Sequence, residues 1–442
     1  MGKRAKGKTG HRAEPKLQVA LDFTDLHRAL RVGEEASRGG ADWIEVGTPL
    51  IKSEGLDAVR AIRRRFKSHI ILADMKTMDT GAVEVEMAAK AGADVVIILG
   101  AADNSTIREA VEAGRRYGAK VMADLIGVES MAARALELEK LGISYICVHV
   151  GIDQQMRGMN HLKALKETVK AVHVPVAAAG GINSESAASA VKVGAEMVIV
   201  GGAITKAEDA EEATKLIKKA IQLKKSIATG LYKKYGEDDL HRVFSEVSTA
   251  NISDAMQRRG EMQGIKSVIP GLKAVGRALT VRTYPGDWAK PVEAIDKANP
   301  GDVIVIDAGG GDKAVWGELA TWSSVERKLD GVVIDGAVRD IQAIMKTKFP
   351  VFARCVNPTA GDPKGFGETN VEVTCGGVRV QPGDWIVADD DGVVVVPKEL
   401  AVEMANRAKD VLEKENRVRA EIRRGSTLSE VLRIRKWEKL TG

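Results

Sequence analysis

The chain has 442 residues, of which 44% are hydrophobic, and it carries a net charge of only +5. That length suggests two or three domains with ample packed core. No apolar run nears the roughly 20 residues that span a bilayer, no apolar segment of signal-peptide type opens the chain, and no basic stripe with interleaved aromatics appears, so a cytoplasmic protein without membrane or nucleic-acid partners is expected. Cys147, Cys355 and Cys375 lie far apart with no C-x-x-C spacing, which argues against a disulfide framework or a zinc site.

In chain order, residues 1–15 form a basic tail: the opening MGKRAKGKTGHRAEPK, which ends on Lys16, sets six Lys/Arg against the single Glu14, a pattern typical of disordered segments. Residues 16–222 then alternate apolar runs with amphipathic stretches at a period of about 25 residues, the spacing of strand and helix pairs. Eight strands are predicted at 17–23, 43–47, 70–74, 95–100, 121–126, 145–150, 174–180 and 197–201. Helices are predicted at 106–117 and 131–141, with Gly118 and Gly142 as stops. Eight such pairs imply an α/β fold, a (β/α)8 TIM barrel.

The C-terminal ends of barrel strands carry chemistry. Those ends hold Asp22 (VALDF), Glu45 (WIEVG), Asp74 and Lys76 (ILADMKTMDTG), Asp124 (MADLIG) and His149 (CVHVG), with Asp79 just beyond the third strand. A lysine among carboxylates keeps its proton and keeps the carboxylates ionised, so the group can hold a cation and stabilise an anionic intermediate. Imidazole titrates near neutrality, which makes His149 the candidate base; the alternative is a neutral core histidine bonded to backbone. The last two strands end in AAAGGIN and IVGGAIT, where Gly180, Gly181, Gly201 and Gly202 let backbone amides approach a phosphate.

The motif ADMKTMD resembles the signature of the orotidine monophosphate decarboxylase superfamily, and within it hexulose-6-phosphate synthase. The resemblance covers residues 16–222 and implies Mg²⁺ or Mn²⁺ held by Glu45 and Asp74, with Lys76 beside the reacting carbons. It also implies a homodimer in which Asp79 enters the neighbouring subunit's site. The implied reaction joins formaldehyde and ribulose 5-phosphate through an enediolate, in either direction. The related 3-keto-L-gulonate-6-phosphate decarboxylases differ where this chain has Asp124, Ile152 and Ala203, all three the choices of the synthase.

Residues 223–239, LKKSIATGLYKKYGEDD, read as a charged linker, and 240–442 as a second, mixed α/β domain. A helix is predicted at 241–259, apolar runs at 278–283, 303–308, 332–335, 351–355 and 385–388, and a terminal helix at 398–424 whose Lys/Glu pairs suggest a solvated face. In DAGGGDKAVWGELA, Gly310 lies in a glycine-rich turn expected to lead straight into a helix bearing Glu318; VVIDGAVRD places Arg339 and Asp340 after another strand. Together these resemble the ribonuclease E activity regulator A and class II 4-hydroxy-4-methyl-2-oxoglutarate aldolase family. That likeness implies a swivelling α/β/α fold, often trimeric, with Arg339 on a substrate carboxylate, Asp340 on a divalent metal and Glu318 near the metal's water. The competing expectation is a non-catalytic interaction or assembly module.

Overall fold

The computed structural model describes residues 14–151, 155–156 and 162–434. The basic tail, except for Glu14 and Pro15, and Ile152 lie outside the described residues. The chain divides into two compact units: the described residues of Met1–Gln155, Met159–Lys234 and Glu413–Gly442, and those of Met156–Gly158 and Tyr235–Leu412.

The first unit is a closed barrel of eight parallel strands in sequential order. They are β1 (Lys16–Leu21), β2 (Trp43–Val46), β3 (Ile70–Thr77), β4 (Val95–Leu99), β5 (Lys120–Asp124), β6 (Tyr145–His149), β7 (Val176–Ala179) and β8 (Met197–Val200). Every predicted strand is present, with ends displaced by a few residues. Strand side chains alternate between faces. One set, including Leu17, Val19, Ile44, Ile71, Val96, Val121, Ile146 and Val198, packs under the helices. The other fills the interior: Leu72, Ile97, Met122, Cys147, Ala177 and Ile199, above the edge-to-face pair Trp43 and Tyr145. Each such Leu or Ile, fully buried, contributes about 1.5–3 kcal/mol. Continuing the inward set by two residues on four strands gives Glu45, Asp74, Asp124 and His149. The same alternation that builds the apolar interior thus delivers the polar cluster to its upper rim.

Residues 227–233, expected as linker, are instead fastened to the loop after β7. Ser184 Oγ donates to Ile227 O (2.8 Å), Thr229 N donates to Glu185 Oε1 (2.9 Å), and Lys233 pairs with Glu185 (2.9 Å). The end of the chain also belongs to the first unit. Arg417, 2% exposed, donates to both oxygens of Glu35 (3.0 and 3.1 Å), to Glu421 (2.9 Å) and to Ala207 O (3.0 Å). Glu421, 3% exposed, also receives Arg28 (3.1 Å). The helix Ala401–Arg423 therefore buries charge where the sequence suggested a solvated face. Glu35 and Arg28, which hold this buried charge, lie 382 and 393 positions from their partners in sequence and leave no local pattern.

The second unit contains a nine-stranded sheet and a hairpin. Its strands are β9 (Lys266–Ser267), β10 (Ala274–Arg282), β11 (Val303–Asp307), β12 (Ala314–Trp316), β13 (Gly331–Val338), β14 (Val351–Val356), β15 (Glu368–Thr369), β16 (Val373–Cys375), β17 (Val378–Val380), β18 (Trp385–Asp389) and β19 (Gly392–Val396). The order β19-β18-β10-β11-β13-β14-β9 puts the parallel strands β10, β11, β13 and β14 together, with cores on both faces. The expected helix at 241–259 is two, Leu240–Glu246 and Thr249–Ala255, because Ser248 closes a capping box with Asn251. The glycine turn does not lead straight into a helix: β12 intervenes before the helix Glu318–Glu326.

Candidate active site

Asp74 and Lys76 converge at the end of β3, though not by simple alternation. The pairing of β3 with β4 shifts register between Asp74 and Thr77, and Lys76 has φ +49°, a conformation uncommon for a side-chain-bearing residue. Strained backbone of this kind clusters at functional sites. The turn brings Lys76 Nζ to 3.0 Å from Asp74 Oδ2 and 2.8 Å from Asp124 Oδ2. Burial alone would lower the lysine pKa, but Asp74 and Asp124 outweigh it and raise it. Thr48 Oγ donates to Asp74 Oδ2 (2.8 Å), fixing the carboxylate from the other side.

Asp124 binds the third member. Its Oδ2 lies 2.8 Å from His149 Nδ1, and its Oδ1 accepts Ile126 N (2.9 Å). Burial would raise this carboxyl, but His149 and Lys76 hold it down to about 2. Asp124 is therefore an anion at neutral pH, and its acceptor oxygen sets the proton on His149 Nδ1, leaving Nε2 as the basic nitrogen. The linkage gives an expected result. A depressed carboxyl stabilises the fold fully above its unfolded value near 3.9 and loses that contribution as pH falls toward about 2. Wild-type unfolding free energy should drop between pH 4 and 2 more steeply than that of Asp124→Asn, read by urea titration at each pH.

Glu45 is buried, and Gln18 Nε2 donates to its Oε2 at 2.5 Å. Burial, then Asp74, then Asp22 push its carboxyl well above the usual range. Asp22 is open to solvent at the barrel mouth yet ringed by protein; poor hydration and Asp74 raise its carboxyl too. Its carboxylate fits only because residue 47 is glycine, where a Cβ would stand 2.2 Å from Asp22 Oδ1. Among the described residues no three His, Cys, Asp or Glu side chains form a metal cage. Mg²⁺, however, is commonly held by one or two carboxylates with substrate and water completing the octahedron. Glu45, held well above the usual carboxylate range by burial and by the neighbouring Asp74, would be relieved by such a cation, so the donor pair Glu45 and Asp74 fits it.

The structure thus brings Asp22, Glu45, Asp74, Lys76, Asp124 and His149 to one rim. Asp79 stands apart, exposed, its Oδ1 accepting Thr80 N (2.7 Å). Gly180 and Gly181, at φ +96° and +69°, and Gly201 and Gly202 lie at the ends of β7 and β8. Sequence reading missed Thr48 and Gln18, which orient two of the carboxylates; neither stands at a strand end.

In the second unit, Asp340 (φ +63°) accepts Glu318 N at 3.2 Å and lies 3.5 Å from Arg339 Nε. Glu318, Arg339 and Asp340 are therefore neighbours at the ends of β12 and β13. Gly310 is elsewhere on the sheet edge, its N–H on Asp335 O (3.0 Å), beside the Arg354 and Asp335 pair (2.6 Å). Neither Asp335 nor Arg354 was picked out from sequence.

A parallel barrel with buried acids, a lysine and a histidine at its C-terminal rim has the form of an enzyme active site, and comparison with known proteins gives its class. Residues 15–217 match the profile "Orotidine 5'-phosphate decarboxylase / HUMPS family", and residues 249–395 match "RraA-like: Aldolase/RraA". The 3-hexulose-6-phosphate synthase of Mycobacterium gastri is 41% identical over 206 residues, 47% of this chain and 99% of that protein. That of Bacillus subtilis is 39% identical over 208 residues, 46% and 98%. A crystal structure of a 3-hexulose-6-phosphate synthase aligns at 41% identity over 46% of this chain and 99% of that one, with a TM-score of 0.45. The chain belongs through its barrel to the orotidine 5'-phosphate decarboxylase and HUMPS family, on the 3-hexulose-6-phosphate synthase branch, and carries an RraA-like second domain. It is an aldehyde-lyase by that relationship. Among the described residues no helix is long and apolar enough to cross a membrane.

Proposed function

We propose that the barrel catalyses reversible aldol condensation of formaldehyde with D-ribulose 5-phosphate, giving D-arabino-hex-3-ulose 6-phosphate. The observation that supports it best is the network in which Asp124 joins Lys76 and His149 at 2.8 Å each. A divalent cation between Glu45 and Asp74 would supply Lewis acidity to the keto and hydroxyl oxygens. Oriented by Asp124, His149 takes the C1 proton through Nε2. Lys76 stays charged beside the carbons and stabilises the negative charge that develops. C1 then attacks formaldehyde, and the proton His149 took from C1 passes to the new alkoxide oxygen; in reverse His149 takes that hydroxyl proton as the carbon–carbon bond breaks and formaldehyde leaves, then returns it to C1. Asp79, exposed on its loop, is proposed to act in the neighbouring subunit's site of a homodimer.

Assay of the whole chain with hexulose 6-phosphate and Mg²⁺ is expected to release formaldehyde, with little release after EDTA treatment. Carbon dioxide from 3-keto-L-gulonate 6-phosphate, with no formaldehyde from the hexulose, would make the barrel a decarboxylase instead. For the second unit we infer an oxo-acid site on Arg339, whose fork suits a carboxylate, with Asp340 and Glu318 toward a metal. Mn²⁺- or Mg²⁺-dependent pyruvate release from 4-hydroxy-4-methyl-2-oxoglutarate, abolished by Arg339→Ala, is the expected result. Its absence would leave this unit as an assembly module.

A further inference from the structure

The loop that follows β6 begins immediately after His149, and its described residues fold back toward that strand. Val150 N donates to Ala179 O (3.3 Å), and Val150 O accepts Gln155 Nε2 (2.7 Å). Gln155 N donates to Gly151 O (3.0 Å), and Tyr232 Oη lies 3.5 Å from Gln155 Oε1. Space is tight as well: a Cβ at Gly180 would stand 2.2 Å from Val150 O. Asp124 fixes the imidazole of His149 by its Nδ1, and these bonds fix the backbone from which the imidazole hangs. That backbone is held from Gln155, so whatever fixes Gln155 and the buried Met156 after it bears on the candidate base.

Asn406 supplies the next link. It lies on the helix Ala401–Arg423, is 1% exposed, and its Nδ2 donates to Met156 O (3.0 Å), Tyr235 O (3.2 Å) and Val402 O (3.0 Å). Its Oδ1 accepts Tyr235 N (2.9 Å), which settles the orientation of the amide, since a backbone N–H needs an acceptor. Met156 and Asn406 fall in the same compact unit, and one peptide bond joins Met156 to Gln155. Two amide protons serve three carbonyls here, and a buried carbonyl stripped of its donor has to move or find water. Neither family match reaches Tyr235 or Asn406: one ends at residue 217 and the other spans 249–395. The anchor belongs to what this chain adds to both.

We propose that Asn406 is a positioning residue for the barrel reaction, holding the backbone on the C-terminal side of His149 through Met156 and Gln155. This rests on the aldol reading given above. The full-length protein and its variants are assayed with ribulose 5-phosphate, formaldehyde and Mg²⁺, and amide hydrogen exchange is followed at residue 155 and along β3. Asn406→Ala should lower kcat about tenfold, because a displaced base costs rate. The Mg²⁺ concentration at half-maximal rate should stay within about twofold of wild type, since Glu45 and Asp74 stand on β2 and β3, away from this loop. Exchange at residue 155 should quicken about tenfold or more while the amides of β3 keep their wild-type rates. Gln155→Met cuts the same path nearer His149 and should give the same signature, with the double variant little worse than either single one. It decides the matter if Asn406→Ala does not fold. Asn416→Ala, on the same helix, should behave as wild type. Folded variants with wild-type kcat would overturn the proposal, as would a loss of kcat matched by a raised metal requirement and quicker exchange throughout the barrel. Quicker exchange confined to residue 155, in a protein that makes no hexulose phosphate, would support the anchor while removing the aldol reading.

Discussion

Asp74→Ala is expected to lower formaldehyde release by about 10²–10³-fold or more, the range seen when one preorganised electrostatic contact is removed from an active site. The residue does several jobs at once. It is a proposed cation ligand, it holds Lys76 at 3.0 Å, and it accepts Thr48 at 2.8 Å. Loss of the carboxylate frees the ammonium from one of two anchors and leaves Glu45 to hold the cation alone. Titration with Mg²⁺ separates the parts: Asp74→Ala should need far more metal for its residual rate. Lys76→Ala should lose a similar factor in kcat at an unchanged metal requirement. An Asp74→Ala enzyme with wild-type rate and metal dependence would dissolve the site as drawn.

Arg417→Met should destabilise the first unit by about 3–5 kcal/mol, the cost of leaving buried carboxylates without their cation. Removing the guanidinium takes the bidentate partner from Glu35 and leaves the buried Glu421 to Arg28 and Arg31 alone. A triple variant uncharged at all three positions, Arg417→Met with Glu35→Gln and Glu421→Gln, should recover much of the loss, since the penalty lies in unpaired charge rather than in the missing bonds. Urea denaturation followed by the fluorescence of Trp43 in the barrel floor would measure both. A single variant within 1 kcal/mol of wild type would mean that the terminal helix contributes little.

Much of the barrel was legible because each strand and helix advertises its own period, and because alternation through the apolar interior points straight at Glu45, Asp74, Asp124 and His149. The turn that brings Lys76 onto Asp74 is not legible in residue order, since nothing there announces the left-handed backbone at Lys76. What escaped depends on partners remote in sequence. KKYGEDD looks like a charged linker until Glu185 and Glu413 are found beside it, and the Lys/Glu rhythm of 398–424 looks solvated until Glu35 is placed against Arg417. In the second unit, β12 is three residues long, too short for any periodicity to announce. Thr48 and Gln18 escaped because nothing in their neighbourhood distinguishes an orienting hydroxyl or amide from an ordinary one.

The route of the chain has a further consequence. It leaves the barrel unit at Lys234 and comes back at Glu413, and the two crossing points touch: Tyr232 N bonds Glu413 at 2.8 Å. The architecture is nested rather than tandem, the second unit being inserted between the barrel and the C-terminal half of the helix Ala401–Arg423. A single cut near residue 240 would therefore strip Arg417 and Glu421 from the barrel, whereas excising 235–412 and bridging the adjacent ends with a short glycine-serine loop would keep them. Domain insertion is tolerated where the host's ends lie close together, and here the host supplies such a pair of ends.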